Sequence, residues 1–93
     1  GKRVQSMMGA KNHVVVMPDA HKEQTLNALV GAAFGAVGQR CMALSVAVMV
    51  GETKLWVNDL VDKAKTLQVN AGHEPNTDVG PLISQRAKAR VME

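Results

Sequence analysis

The 93 residues include one cysteine, three histidines, three prolines, one tryptophan, one phenylalanine and no tyrosine. Cys41 alone cannot form an internal disulfide, and His13, His21 and His73 stand too far apart for metal-ligand spacing. Such thiol usage fits a reducing compartment. Aromatic residues make up 2% of the chain, which leaves no platform on which bases could stack. Eleven Lys and Arg are dispersed among eight acids, so the net charge of +3 builds no basic run for a nucleic-acid backbone. Long apolar runs are missing too. The longest charge-free stretch, Gln24 to Gln39, contains Gln, Thr, Asn and several glycines and is shorter than the roughly 20 apolar residues of a spanning helix. Its Gly31-x-x-x-Gly35 spacing suits a helix lying close to a sheet. Nucleic acid and membrane are thereby set aside as partners.

What is present is apolar enough for a core, at 46% hydrophobic residues, but small. A chain of this size is one small domain or one piece of a larger one, and alone it would bury only about 60 to 65% of its unfolded surface. Gly1-Lys2-Arg3-Val4 does not read as an apolar or Arg/Ser-rich leader. The start lacks a methionine, and a helix capped by Ser84 stops after about two turns. The expectation is a piece cut from a longer chain.

Val14 to Met17 is a β-branched run ended by Pro18-Asp19, as in a buried strand that leads into a helix. From Ala20 to Val37 the apolar residues Leu26, Leu29, Val30, Ala33, Phe34 and Val37 share one helical face. Cys41 to Val50 is a second charge-free, β-prone run, and Gly51 stops it. A second helix is predicted from Thr53 to Leu67, with Trp56, Val57, Leu60, Val61, Ala64 and Leu67 inward. Asn70 to Pro81 reads as a polar loop. Strands buried on both faces and alternating with helices imply an α/β fold with a parallel sheet, flanking helices and right-handed crossovers.

One residue carries candidate chemistry. Cys41 follows Gly38-Gln39-Arg40 at a helix-to-strand turn. A lone cysteine beside an apolar strand packs most often as a small buried hydrophobe. The functional alternative is a nucleophile whose thiolate is favoured by the adjacent Arg40 cation, with Gly38 allowing close approach.

Gly38-Gln39-Arg40-Cys41, after a small-residue helix containing Phe34, resembles the nucleophile motif of the aldehyde dehydrogenase superfamily. Met8-Gly9-Ala10-Lys11-Asn12 resembles that superfamily's Leu-Gly-Gly-Lys-Asn segment, and Val79-Gly80-Pro81-Leu82-Ile83 its Gly-Pro-Leu/Ile segment. Together they cover the chain, and the longer strings Gly9 to His13 and Gly38 to Leu44 are similar to a CoA-acylating branch that oxidises malonate-type semialdehydes.

The resemblance implies residues 1–93 of a catalytic domain, with 1–8 at the junction to a nucleotide-binding domain. It also implies an NAD-dependent oxidoreductase that passes a Cys41 thioester to CoA. Arg40 would bind the substrate carboxylate, and Met8 would approach the nicotinamide through its backbone. A hydrolytic relative's activating glutamate falls at Met7, which cannot take a proton and so fits transfer to a thiol. The CoA-dependent branch commonly has asparagine there, a departure at this position. Lys11 and Asn12 are expected to close a turn at the domain junction, and Arg86, Lys88 and Arg90 to lie on an outward helical face. The asparagine of the oxyanion hole and the glutamate that contacts the nicotinamide ribose belong to family regions outside these residues. The implied parent is a homotetramer, in the mitochondrial matrix in animals or the cytoplasm in bacteria, and the piece alone is expected to be inactive. The rival is a non-catalytic fragment or interaction module of the same ancestry.

Overall fold

The computed structural model describes residues 1–93. After eleven residues without regular structure come β1 (Asn12–Val16), α1 (Lys22–Phe34), β2 (Leu44–Met49), α2 (Val57–Lys65) and α3 (Gln85–Met92). β1 and β2 pair in parallel, with α1 crossing between them, as the change of hydrophobic period requires. The register joins Val14 to Ala47, Val15 to Val48 and Val16 to Met49, with an irregularity at Asn12/His13.

Val16, Leu26 and Leu29 form the buried centre, with Val14, Ala20, Leu44, Met49, Trp56 and Leu60 packed around it. α1 and α2 therefore cover one face of the sheet. Lys22 pairs with Asp59 at 2.7 Å, and Lys63 Nζ donates to Asn27 Oδ1 at 2.8 Å, which ties the two helices at their rim. The other face is bare, with Val15 and Val48 58% and 43% exposed, so the expected burial on both faces is not met within this chain. Two strands and one helix layer cannot enclose a sheet. The chain exposes 7650 Å², against about 5,200 Å² for a compact monomer of its mass, and surface of this extent fits a piece of a larger core.

Element boundaries differ from the periodicity for local reasons. α1 stops at Phe34 rather than Val37, because Ala36, Val37 and Gly38 take φ of 51°, 59° and 70°. Two of these left-handed residues carry a Cβ, at about 1–2 kcal/mol each. The backbone N–H of Gln39 and its side-chain Nε2 both donate to Ala36 O, at 3.0 and 3.1 Å, and hold the turn. β2 begins at Leu44 rather than Cys41, since Arg40 to Ala43 close a turn through Ala43 N–H to Arg40 O at 3.1 Å. At the far end of β2, Gly51 takes φ 60° and a tight helical turn, Gly51–Trp56, precedes α2. As predicted, Ser84 caps α3, its Oγ accepting from Ala87 N–H at 3.1 Å.

Thr53 is the one fully buried polar residue, at 0% exposure. Its hydroxyl donates to Val50 O at 2.8 Å, beside Val16 O at 3.3 Å, joining the ends of both strands. Thr53→Val keeps the shape and removes the donor. In denaturant unfolding of the full-length protein it should cost about 1–3 kcal/mol, with Thr53→Ser closer to wild type.

Candidate functional site

The turn between α1 and β2 brings Cys41 to the surface, and the thiol is exposed. Within this chain Cys41 is therefore not buried. Cys41 lines a cleft of about 820 Å³ whose walls are the segment Met7 to Ala10, the turn residues Gly38 to Cys41, the start of β2 and Arg90 of α3. No Asp or Glu lines it, whereas Arg40 and Arg90 do. An anion is favoured there by charge, and a carboxylate general base is missing.

The sequence candidates come together in this cleft. Arg40 adjoins Cys41 and pairs with no carboxylate. Met8, 99% exposed, lines the same cleft, as does its neighbour Met7, 77% exposed. Met7 to Ala10 make no backbone hydrogen bonds among themselves or with the rest of the chain, so their N–H and C=O groups are free for a ligand.

Two residues act differently from their sequence reading. Asn12 does more than close a turn at the junction. Its Nδ2 donates to Cys41 O at 3.0 Å and Ala43 O at 2.9 Å, fastening the thiol-bearing turn to the start of β1. Arg90 of α3 lines the cleft rather than facing solvent alone. Gln39 supplies a third tie that sequence patterning missed, its Oε1 accepting from Ile83 N–H at 3.0 Å and linking the Gly-Pro-Leu-Ile segment to the turn. Only that segment's co-occurrence with Gly38-Gln39-Arg40-Cys41 signals the link. The histidines do local work: His21 caps α1 by accepting from Gln24 N–H at 3.3 Å, and His13 Nδ1 lies 2.8 Å from Lys11 O. No group of three His, Cys, Asp or Glu could hold a metal, and no helix is long and apolar enough to cross a membrane.

The profile of the aldehyde dehydrogenase family matches residues 1–93, from the Met7 wall through the Cys41 turn to α3. The chain belongs to the aldehyde dehydrogenase family. It is 70% identical over 91 residues to the mouse protein named methylmalonate-semialdehyde/malonate-semialdehyde dehydrogenase [acylating], mitochondrial, covering 98% of this chain and 17% of that one. The human protein of the same name gives the same identity and coverage. Among solved structures, methylmalonate-semialdehyde dehydrogenase of Oceanimonas doudoroffii superposes with a TM-score of 0.82 at 43% identity, over 90% of this chain and 18% of that one. A protein of Sinorhizobium meliloti 1021 complexed with NAD gives 0.77 at 44% identity, again over 90% and 18%. The chain thus spans less than a fifth of the length of these relatives. The parallel sheet with flanking helices is part of the family's architecture.

Proposed function

We propose that this chain carries the nucleophile of an NAD-dependent, CoA-acylating dehydrogenase of methylmalonate or malonate semialdehyde. The observation that supports this most directly is the exposed Cys41 residue, next in sequence to an Arg40 that pairs with no carboxylate, in a cleft lined by no Asp or Glu. The names of the relatives point to the same substrates.

In this reading the Cys41 thiolate adds to the aldehyde carbon, forming a thiohemiacetal. Arg40 holds the substrate carboxylate so that the carbon stands near sulfur. Met8 offers its free backbone to the nicotinamide. NAD, when bound, supplies the acceptor for the departing hydride. What remains is an acyl thioester on Cys41. Met7, in place of a carboxylate, activates no water, so the incoming CoA thiol takes the acyl group and frees the Cys41 sulfur. With loss of carbon dioxide the products are propionyl-CoA or acetyl-CoA, as valine and pyrimidine breakdown would require. The full-length protein is a homotetramer of the mitochondrial matrix, and the 93 residues alone, with less than a fifth of the family length, do not turn over.

The test is mass spectrometry of the full-length protein after semialdehyde and NAD are added without CoA. An acyl adduct should accumulate on the Cys41 peptide and discharge when CoA is supplied. Iodoacetamide should label the same peptide in the native protein, and NAD should protect it. A Cys41 peptide that never carries acyl and labels only after denaturation would favour a non-catalytic module of the same ancestry.

A further inference from the structure

Gly35 stands at the end of α1 with φ −54° and ψ 132°, a conformation open to any residue, and its N–H bonds to Gly31 O as an alanine's would. Backbone freedom is therefore not why a glycine is there. A Cβ at this position would lie 2.7 Å from Arg40 Nη1 and 2.9 Å from both Cζ and Nη2. Three guanidinium atoms at nearly one distance mean that the planar group lies flat on the Gly35 Cα, in the space a side chain would fill. No hydrogen bond or ion pair to protein fixes the guanidinium otherwise.

We infer that Gly35 is a positioning residue that seats the Arg40 guanidinium for the substrate carboxylate, and so sets the enzyme's preference for semialdehydes over plain aldehydes. The inference rests on the reading of Arg40 given above. Because the clashing group is the far end of a flexible side chain, a methyl at position 35 moves the guanidinium and leaves the fold in place. Gly31, one turn earlier with open space where its Cβ would be, serves as the control.

Four full-length variants separate the possibilities: G35A, G31A, R40A and the double variant G35A/R40A. The readout is kcat/KM for malonate semialdehyde relative to propanal, with CoA and NAD saturating. G35A should lower that ratio roughly 10- to 100-fold, the scale of about an ångström's misplacement, chiefly through the semialdehyde KM. G31A should leave it at the wild-type value. In the double variant G35A should add nothing to R40A, since the group it displaces is already gone. A G35A ratio equal to wild type, with R40A reduced, would overturn the inference while leaving the role of Arg40 standing. An unchanged ratio in R40A would overturn both. Equal losses from G35A in the presence and absence of Arg40 would mark a structural effect and also overturn it.

Discussion

Arg40→Ala in the full-length enzyme should lose about 2–5 kcal/mol of transition-state binding for methylmalonate semialdehyde and hardly change the use of propanal. That is a fall of about 30-fold to several thousand-fold in kcat/KM. The range belongs to one partner of a desolvated charge pair. In this chain the guanidinium is exposed, and an exposed pair contributes about 1 kcal/mol or less. The size of the loss therefore reports whether the remaining protein closes over the cleft when substrate is bound. Met7 belongs to the same test because it lines the same cleft as Cys41. With no carboxylate there, acyl-enzyme should hydrolyse slowly and turn over rapidly only with CoA. Met7→Glu should raise hydrolysis relative to thiol transfer. Steady-state rates with and without CoA, on both aldehydes, read all of this. Rapid wild-type turnover without CoA and no substrate-selective loss in Arg40→Ala would reject the acylating assignment, even with Cys41 as nucleophile.

The parts of the fold that follow from side-chain period were legible in the sequence. Val14 to Val16 and Leu44 to Met49 pair in parallel around α1 because a β-branched run, a helical face and a second run leave little other choice. Leu26 and Leu29 are buried as their spacing implies. Val57 and Val61, placed inward by the same periodicity, stay 42% and 43% exposed, because two strands and one helix layer leave them little to pack against. Periodicity could not find the left-handed turn at Ala36 and Val37 either, because neither residue favours that backbone and what holds it is the pair of Gln39 bonds to Ala36 O, which carry no hydrophobic signal. At the site, Cys41, Arg40 and Met8, singled out from motifs, line one cleft, but motif spacing says nothing of who holds the turn in place. That work falls to side-chain amides bonding across 29 to 44 residues of chain, as Asn12 and Gln39 do, and such bonds leave no periodic trace.

Asn12→Asp should therefore lower kcat about 100-fold while sparing native labelling of Cys41. The amide donates to the carbonyls of Cys41 and Ala43 at 3.0 and 2.9 Å. Two such bonds contribute about 1–3 kcal/mol together. A carboxylate of the same shape has no hydrogen to give and turns negative oxygens toward two carbonyl oxygens, so Asp should be worse than Ala at this position. The turn then keeps Ala43 N–H to Arg40 O at 3.1 Å and the Gln39 tie to Ile83 on its other side, while its Cys41 to Ala43 half loses its hold on β1 and can shift. A shift of about an ångström in the sulfur carries a rate loss near 100-fold without burying the thiol. The effect has a pH signature. Facing two carbonyls, the folded-state carboxyl has its pKa raised above the unfolded value of about 3.9, and once protonated it can donate again. The stability deficit of Asn12→Asp should then shrink as pH falls toward about 4 and grow as pH rises through the folded-state pKa, reaching its full size near neutrality. Melting of the variant and of Asn12→Ala across that pH range separates the two accounts. If Asn12 only closes a turn at the strand's edge, both variants lose the same stability at every pH, and both keep wild-type kcat.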